Sequence, residues 1–117
     1  MDRLTNMRIF CKDIVGFIER FGDNYQTFIT DRAYYNAVSM GIMQIGELAN
    51  GLTKEFREKT KEQMQWEMIR GMRNWLAHGY INMSEEIIWE TATKDIPAVL
   101  EFCDEIIESE KEKIYEE

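Results

Sequence analysis

The chain has 117 residues, of which 44% are apolar and 31% charged, and its formal net charge is −8. This length and composition predict one globular domain, residues 1–117, and exclude an intrinsically disordered chain. One proline and seven glycines argue against an all-β fold with many tight turns.

The first half of the chain predicts two long helices. Apolar residues recur at spacings of three and four from Leu4 to Phe21, which is typical of an amphipathic helix. The segment 22–24, Gly-Asp-Asn, indicates a helix end and a turn. A short helical turn over 25–30 follows, with Thr30 or Asp31 as the cap of a second long helix that ends near Asn50.

The second half is predicted to contain a short helix with a loop over 54–65, then a third main helix from Trp66 to His78 that ends at Gly79. Ser84 begins another helix, and Pro97 suits a helix restart because proline is tolerated in a first turn. No segment alternates as a strand does. The sequence therefore predicts an all-α bundle of four to five helices.

Four glycines fall inside predicted helices, where each costs about 1 kcal/mol relative to alanine. They are Gly16, Gly41, Gly46 and Gly71. We expect them to permit close packing between helices of the chain, and the approach of a partner chain is the alternative.

Cysteine usage and segment hydropathy favour a cytoplasmic protein that has no membrane segment. Cys11 and Cys103 form no CxxC pattern, so we expect buried, reduced thiols. The N-terminal residues lack the basic and apolar regions of a secretory signal. The longest uncharged stretch, 33–46, is too short to span a bilayer.

The charge is unevenly distributed along the chain. Residues 54–73 carry six basic and four acidic side chains, whereas residues 85–117 carry three basic and twelve acidic ones. A protein that binds nucleic acid over its whole surface should be basic. The sequence instead allows a small basic site on an acidic body.

The most informative segment runs from Arg73 to Tyr80 and contains the only histidine, His78. Arginine offers a fixed fork of donors that matches phosphate oxygens, and histidine exchanges protons near neutral pH. Asn74 lies four residues before His78, on its helix face. These residue types suit cleavage of an RNA phosphodiester, in which the 2′-hydroxyl attacks and no metal is required.

Each of these residues also has a purely structural interpretation. A lone histidine at a helix C-terminus interacts favourably with the helix dipole. Arg73 could pair with Glu47 or Asp31, and Tyr80 could pack over the helix end. A zinc site is not expected, because it needs several His or Cys ligands close together.

A single histidine does not supply both a general acid and a general base. We therefore expect a homodimer in which two copies of the motif share one cleft, and two-fold symmetry is the commonest oligomeric arrangement.

The segment resembles the motif of HEPN ribonucleases, and of the HepT toxin family in particular. The phrase Arg-Asn-x-Leu-x-His-x-Tyr is met throughout, from Arg73 to Tyr80. The segment Ile-Gly-Glu at 45–47 is similar to the family's second long helix, and the segments at 87–91 and 95–97 are similar to its C-terminal helical region. The resemblance covers nearly the whole chain.

The resemblance implies a HEPN-type helical bundle that forms a homodimeric, metal-independent endoribonuclease without a cofactor. The enzyme would be the toxin of a toxin–antitoxin pair, with Arg73, Asn74 and His78 at the catalytic site and Glu47 in support. It also implies a partner, an MntA-like nucleotidyltransferase antitoxin, that silences the toxin by transferring AMP from ATP to Tyr80. An anionic adduct there would block the cleft and repel RNA phosphates.

Two other interpretations remain open. The chain could be a non-catalytic HEPN module that binds nucleotide or substrate for a nucleotidyltransferase, or a helical scaffold without a ligand. Trp66, Trp75 and Trp89 could stack on bases, but packing in the core or a dimer interface is the expectation that we favour.

Overall fold

The computed structural model describes residues 2–79 and 84–116, with side chains for residues 3–74, 76 and 84–110. The helices, in chain order, are α1 (Asp2–Phe21), α2 (Tyr25–Thr30), α3 (Arg32–Asn50), α4 (Lys54–Lys59), α5 (Trp66–Gly79), α6 (Glu85–Glu90) and α7 (Ile96–Glu116). A π-helical segment, Thr91–Asp95, joins α6 to α7. No strand occurs in either described range, so the predicted all-α bundle is confirmed.

The first half of the bundle is delimited by local caps. Gly22 ends α1 with a φ of 113°, which favours glycine because other residues lack this freedom. Asp31 begins α3, and its Oδ1 accepts hydrogen bonds from the backbone N–H groups of Ala33 and Tyr34. Of the two predicted caps, Asp31 is the correct one, since the Thr30 hydroxyl instead donates to the carbonyl of Gln26.

Helices α1, α3, α5 and α7 enclose one hydrophobic core. α1 packs against α3 and α7, and α3 packs in turn against α5. The core face of α1 matches the predicted stripe, with buried residues Leu4, Met7, Cys11 and Ile14. Cys103 of α7 is also buried, so both cysteines are core thiols as predicted.

The π-helical segment explains how the chain continues into α7 despite Pro97. Proline lacks an N–H and clashes with the preceding turn of an α-helix, and a π-helical turn is one way in which a helix accommodates a disrupted hydrogen-bond ladder. The hydroxyls of Thr91 and Thr93 donate to the carbonyls of Ile87 and Trp89. The predicted helix restart is therefore one continuous helical run from 85 to 116.

The glycine prediction is right at two positions and wrong at one. A Cβ at Gly41 would lie 3.0 Å from Ile14 of α1, and one at Gly46 would lie 2.9 Å from the backbone of α5. A Cβ at Gly16 would meet nothing within 4 Å. Close helix packing therefore does not account for Gly16, which faces open space.

Trp66 lies in the core and the partly buried Trp89 packs against it, in agreement with the expected packing role. Trp66 is buried, and its indole Nε1 donates to the Thr60 hydroxyl at 2.8 Å. Trp89 packs against Phe28, with ring centroids 5.0 Å apart. The side chain of Trp75 lies outside the described residues. Among the described helices, none combines the length and the apolar character needed to cross a membrane.

Candidate active site

Helix α5 presents a buried face to the core and a polar face to its surroundings. Its buried residues recur at helical spacing and are Trp66, Ile69, Met72 and Leu76. Arg70 and Arg73 lie between the two faces with partly exposed side chains, and Asn74 is exposed. Arg73 and Asn74, the polar motif residues whose side chains are described, therefore lie away from the buried face of α5.

The close approach of α3 and α5 fixes the position of the Arg73 backbone. The Cβ that Gly46 lacks would lie 3.0 Å from the Arg73 backbone nitrogen and 3.2 Å from the Arg73 Cβ. Only a residue without a side chain lets the two backbones come this close. The predicted Ile-Gly-Glu segment of α3 thus places Glu47, the residue after Gly46, beside Arg73.

The guanidinium of Arg73 contacts Glu47 and Asn74. Its Nη1 lies 3.4 Å from Glu47 Oε2, and its Nη2 donates to Asn74 Oδ1 over 3.5 Å. The side chains of Arg73 and Glu47 are 32% and 60% exposed, and exposed ion pairs stabilise a fold by about 0–1 kcal/mol. Of the two predicted partners, Arg73 therefore pairs with Glu47, while Asp31 caps α3.

His78 lies on the same uninterrupted helix as Arg73. α5 is helical to Gly79, so the two residues are offset by about 140° around the axis and roughly 7.5 Å along it. Asn74 and His78 share one face, as predicted, because they are one helical turn apart. The side chain of His78, and Tyr80 altogether, lie outside the described residues.

An apolar groove adjoins this segment between α3 and α5. It has a volume of about 300 Å³ and is lined by Asn36, Ser39, Met40, Met43 and Leu76. Met40 is 54% exposed, which is unusual for so apolar a residue beside a core. Leu76 lies within the Arg73-to-His78 segment, so the groove borders the candidate site directly.

The groove escaped the sequence analysis although a signal was present. Tyr34, Val38 and Ile45 form the buried stripe of α3, and Met40 and Met43 widen the apolar arc of the helix beyond that stripe. An apolar arc wider than one stripe indicates a second buried face.

Within the described residues, no group of three or more His, Cys, Asp or Glu side chains could hold a metal ion.

Comparison with known proteins identifies the family. The family model described as "HepT-like: Ribonuclease HepT-like" matches residues 11–106, which is most of the chain. The chain belongs to the HepT-like ribonuclease family. The resemblance noted in the Arg73-to-Tyr80 segment is thereby confirmed, and so is the prediction of a ribonuclease at the level of the family.

Two curated relatives of this HepT-like ribonuclease carry the same class of name. It is 39% identical over 95 residues to "Putative RNase TTE0752" of Caldanaerobacter subterraneus subsp. tengcongensis, covering 80% of this chain and 84% of that one. It is 31% identical over 110 residues to "Putative RNase MJ0125" of Methanocaldococcus jannaschii, covering 94% and 92%. No solved structure matches the chain significantly.

Proposed function

We propose that this HepT-like ribonuclease is a metal-independent endoribonuclease that cleaves RNA through attack of the 2′-hydroxyl on the adjacent phosphate. The observation that carries the proposal is the position of Arg73. Its guanidinium is anchored at the α3–α5 contact beside Glu47 and Asn74, on the same continuous helix as His78.

Arg73 would bind the scissile phosphate and stabilise the charge that develops on the phosphorane. Its planar fork matches phosphate oxygens bidentately. The pair with Glu47 involves Nη1 and is partly exposed, so Glu47 orients the guanidinium while other N–H donors of Arg73 remain available to a phosphate. Glu47 is then a positioning residue, and Asn74 is a second polar group at the site.

His78 would carry the proton transfers. In the cleavage step a base takes the proton of the 2′-hydroxyl, the oxygen attacks phosphorus, and the bond to the 5′-oxygen breaks. That leaving oxygen takes a proton from an acid, and the other product ends in a 2′,3′-cyclic phosphate. An unperturbed histidine has a pKa near 6.5 and can fill either role near neutral pH.

The need for both roles supports a homodimer. The chain has one histidine, and the helical offset between His78 and Arg73 favours a site completed by a second copy. The apolar groove with Met40 borders the motif, so two chains that pack through it bury this surface and bring two copies of the motif together. A closed two-fold pair of this kind is the commonest oligomer.

The resemblance supports a biological role as a cytoplasmic toxin that is neutralised by an MntA-like nucleotidyltransferase antitoxin. The antitoxin would transfer AMP from ATP to the hydroxyl of Tyr80 and release pyrophosphate. The adduct adds a bulky anion two residues from His78. Such an anion would repel the RNA phosphate and block access to the cleft.

The test is cleavage of total cellular RNA by purified protein in excess EDTA, after the intact mass has shown that it carries no AMP. We expect the wild type to leave 2′,3′-cyclic phosphate ends and His78→Ala to leave the RNA intact. Absence of cleavage by unmodified, dimeric wild type would favour the non-catalytic HEPN module, in which Arg73 and His78 contact a nucleotide or the partner.

A further inference from the structure

A polar groove, separate from the apolar groove described above, lies between α4 and the start of α5. It is on the N-terminal side of Arg73 along α5. It is open to solvent and has a volume of about 580 Å³. Four cations line it, and they are Lys54, Arg57, Lys61 and Arg70. Two carboxylates, Glu58 and Glu67, also line it, so the groove has a positive balance in a chain whose net charge is −8.

The groove is built from local contacts that hold its walls together. The indole of Trp66 donates to the Thr60 hydroxyl, which in turn donates to the Phe56 carbonyl at 2.8 Å. These two bonds, of which the first is buried and the second partly buried, attach the turn after α4 to the first residue of α5. The groove is therefore a fixed feature of the fold and not a gap between loosely connected segments.

Both arginines of the groove are oriented by neighbouring groups. Arg57 Nη1 donates to the Leu52 carbonyl. Arg70 Nε donates to Asn50 Oδ1 at 3.2 Å, and its Nη1 donates to Glu67 Oε1 at 2.9 Å. A guanidinium has five N–H donors, so one bond at Arg57 and two at Arg70 orient these side chains and leave donors for a phosphate.

The groove lies next to the candidate active site along α5. Arg70 precedes Arg73 by three residues, and residues at this spacing are neighbours on a helix surface. Their side chains are 28% and 32% exposed. The cations of the groove and Arg73 thus form a series that leads to the motif, in which Glu67 pairs with Arg70 and Glu47 pairs with Arg73.

We propose that this basic groove binds the phosphate backbone of single-stranded RNA beside the scissile bond. The inference deepens the proposed ribonuclease function and rests on it. Lysine and arginine in an open groove follow a phosphate backbone without reading bases. Trp66, the aromatic residue of the lining, is buried and hydrogen-bonded to Thr60, so it offers no face on which a base could stack.

Contacts to phosphate have a measurable signature in salt. Each phosphate neutralised on a single strand contributes about 0.7 to the slope of log affinity against log salt concentration. Removing two lysines should therefore lower that slope by about 1.4 and weaken binding on the order of ten-fold at 0.1 M salt. The loss should be the same for RNAs of different base composition.

The experiment measures binding of labelled single-stranded RNA by fluorescence anisotropy across a salt series. All proteins carry His78→Ala so that the RNA stays intact. The groove variant is Lys54→Gln with Lys61→Gln, and the matched control is Lys12→Gln with Lys94→Gln, whose lysines are exposed elsewhere. Both double variants have the same net charge, so a difference between them reports position and not total charge.

A third variant tests whether removal of a negative charge from the groove strengthens RNA binding. Glu58→Gln removes a carboxylate from the groove and releases Lys61, whose Nζ lies 3.4 Å from Glu58 Oε1. It should tighten RNA binding several-fold, whereas Glu101→Gln on the exposed side of α7 should not.

The outcomes separate this inference from the proposed function. If the groove and control variants bind RNA equally, the groove inference is wrong even where the wild type cleaves RNA. If they differ as expected but the wild type does not cleave, the groove is supported and the catalytic proposal fails. Binding of the same variants to a nucleotidyltransferase partner is measured separately. If the groove variant loses that binding but keeps its affinity for RNA, the groove binds a protein and the RNA assignment is overturned.

Discussion

Gly46 of α3 lies against Arg73 of α5 so closely that a Cβ at Gly46 would be 3.0 Å from the Arg73 nitrogen. The neighbouring Ile69 carbonyl oxygen would be 2.9 Å away. Both are backbone atoms, so neither can move without shifting α5. The position of the candidate catalytic residue Arg73 on α5 therefore depends on the absence of a side chain at Gly46 of α3.

This relationship predicts opposite effects of alanine at two helical glycines. Gly46→Ala should destabilise the protein by about 1–3 kcal/mol, as overpacking of a fixed contact does. Gly16→Ala meets nothing within 4 Å and should stabilise it by up to about 1 kcal/mol through helix propensity. Chemical denaturation of both variants measures the difference, and destabilisation of equal size at the two sites would refute the packing argument.

The second prediction concerns the arginine itself. Arg73→Lys keeps the charge but loses the planar fork, so RNA cleavage should fall by about a hundred-fold, in the range found when one stabilising donor is removed. Glu47→Gln should lower cleavage by less than about ten-fold, because it only loosens the orientation of Arg73. Thermal unfolding should change little in either variant, since the pair is partly exposed.

Equal RNA cleavage by Arg73→Lys and Glu47→Gln would contradict the different roles assigned to the two residues. If Glu47→Gln were as inactive as Arg73→Lys, Glu47 would act on the substrate and not merely on Arg73. Comparison of kcat and KM for each variant distinguishes these roles, because loss of a contact made only in the transition state lowers kcat.

The third prediction places the dimer contact on the α3–α5 groove. Met40 lines the groove and is 54% exposed, and Ile9 of α1 is 51% exposed but does not line it. Met40→Lys should shift the protein to monomers and abolish cleavage, whereas Ile9→Lys should do neither. Sedimentation velocity and RNA cleavage measure both properties. A dimer that tolerates Met40→Lys would place the interface on another face.

Periodicity predicted the elements of this fold well because each long helix buries apolar residues that recur at helical spacing. The end of α3 at Asn50 and the start of α5 at Trp66 were placed from apolar spacing and glycine positions. The pairing of Arg73 with Glu47 was left open against Asp31, since spacing along a chain does not say which helices touch. The asparagine, threonine and carbonyl partners that shape the basic groove were missed for the same reason.

The π-helical segment at 91–95 was also not predicted from the sequence pattern. The sequence predicted a helix restart at Pro97, because proline is tolerated in the first turn of a helix. The chain instead stays helical by widening one turn, with the Thr91 hydroxyl donating to the Ile87 carbonyl. Ile88 and Ile96, on either side of this segment, are buried in the core, and no single-residue preference contains such packing.

The last prediction concerns the two core thiols. Burial raises the pKa of Cys103 to about 11, with a further increase from Asp104 and an opposing effect of Arg8. Burial also raises the pKa of Cys11, more strongly. Since the thiolate is the reactive form, neither cysteine should react with a disulfide reagent at pH 8 until the protein unfolds, and two thiols should then be titrated.

The same pKa shifts determine whether the free energy of unfolding rises or falls with pH in alkaline solution. In the unfolded chain the thiols lose their protons near pH 9, whereas in the folded protein they keep them up to about pH 11 at Cys103. The folded state therefore binds more protons in this window, and the free energy of unfolding should fall as the pH rises through it. Cys103→Ala should reduce this alkaline loss, and denaturant titrations at pH 8 and pH 10 measure it. An unchanged pH dependence in Cys103→Ala would mean that other groups set the alkaline limit.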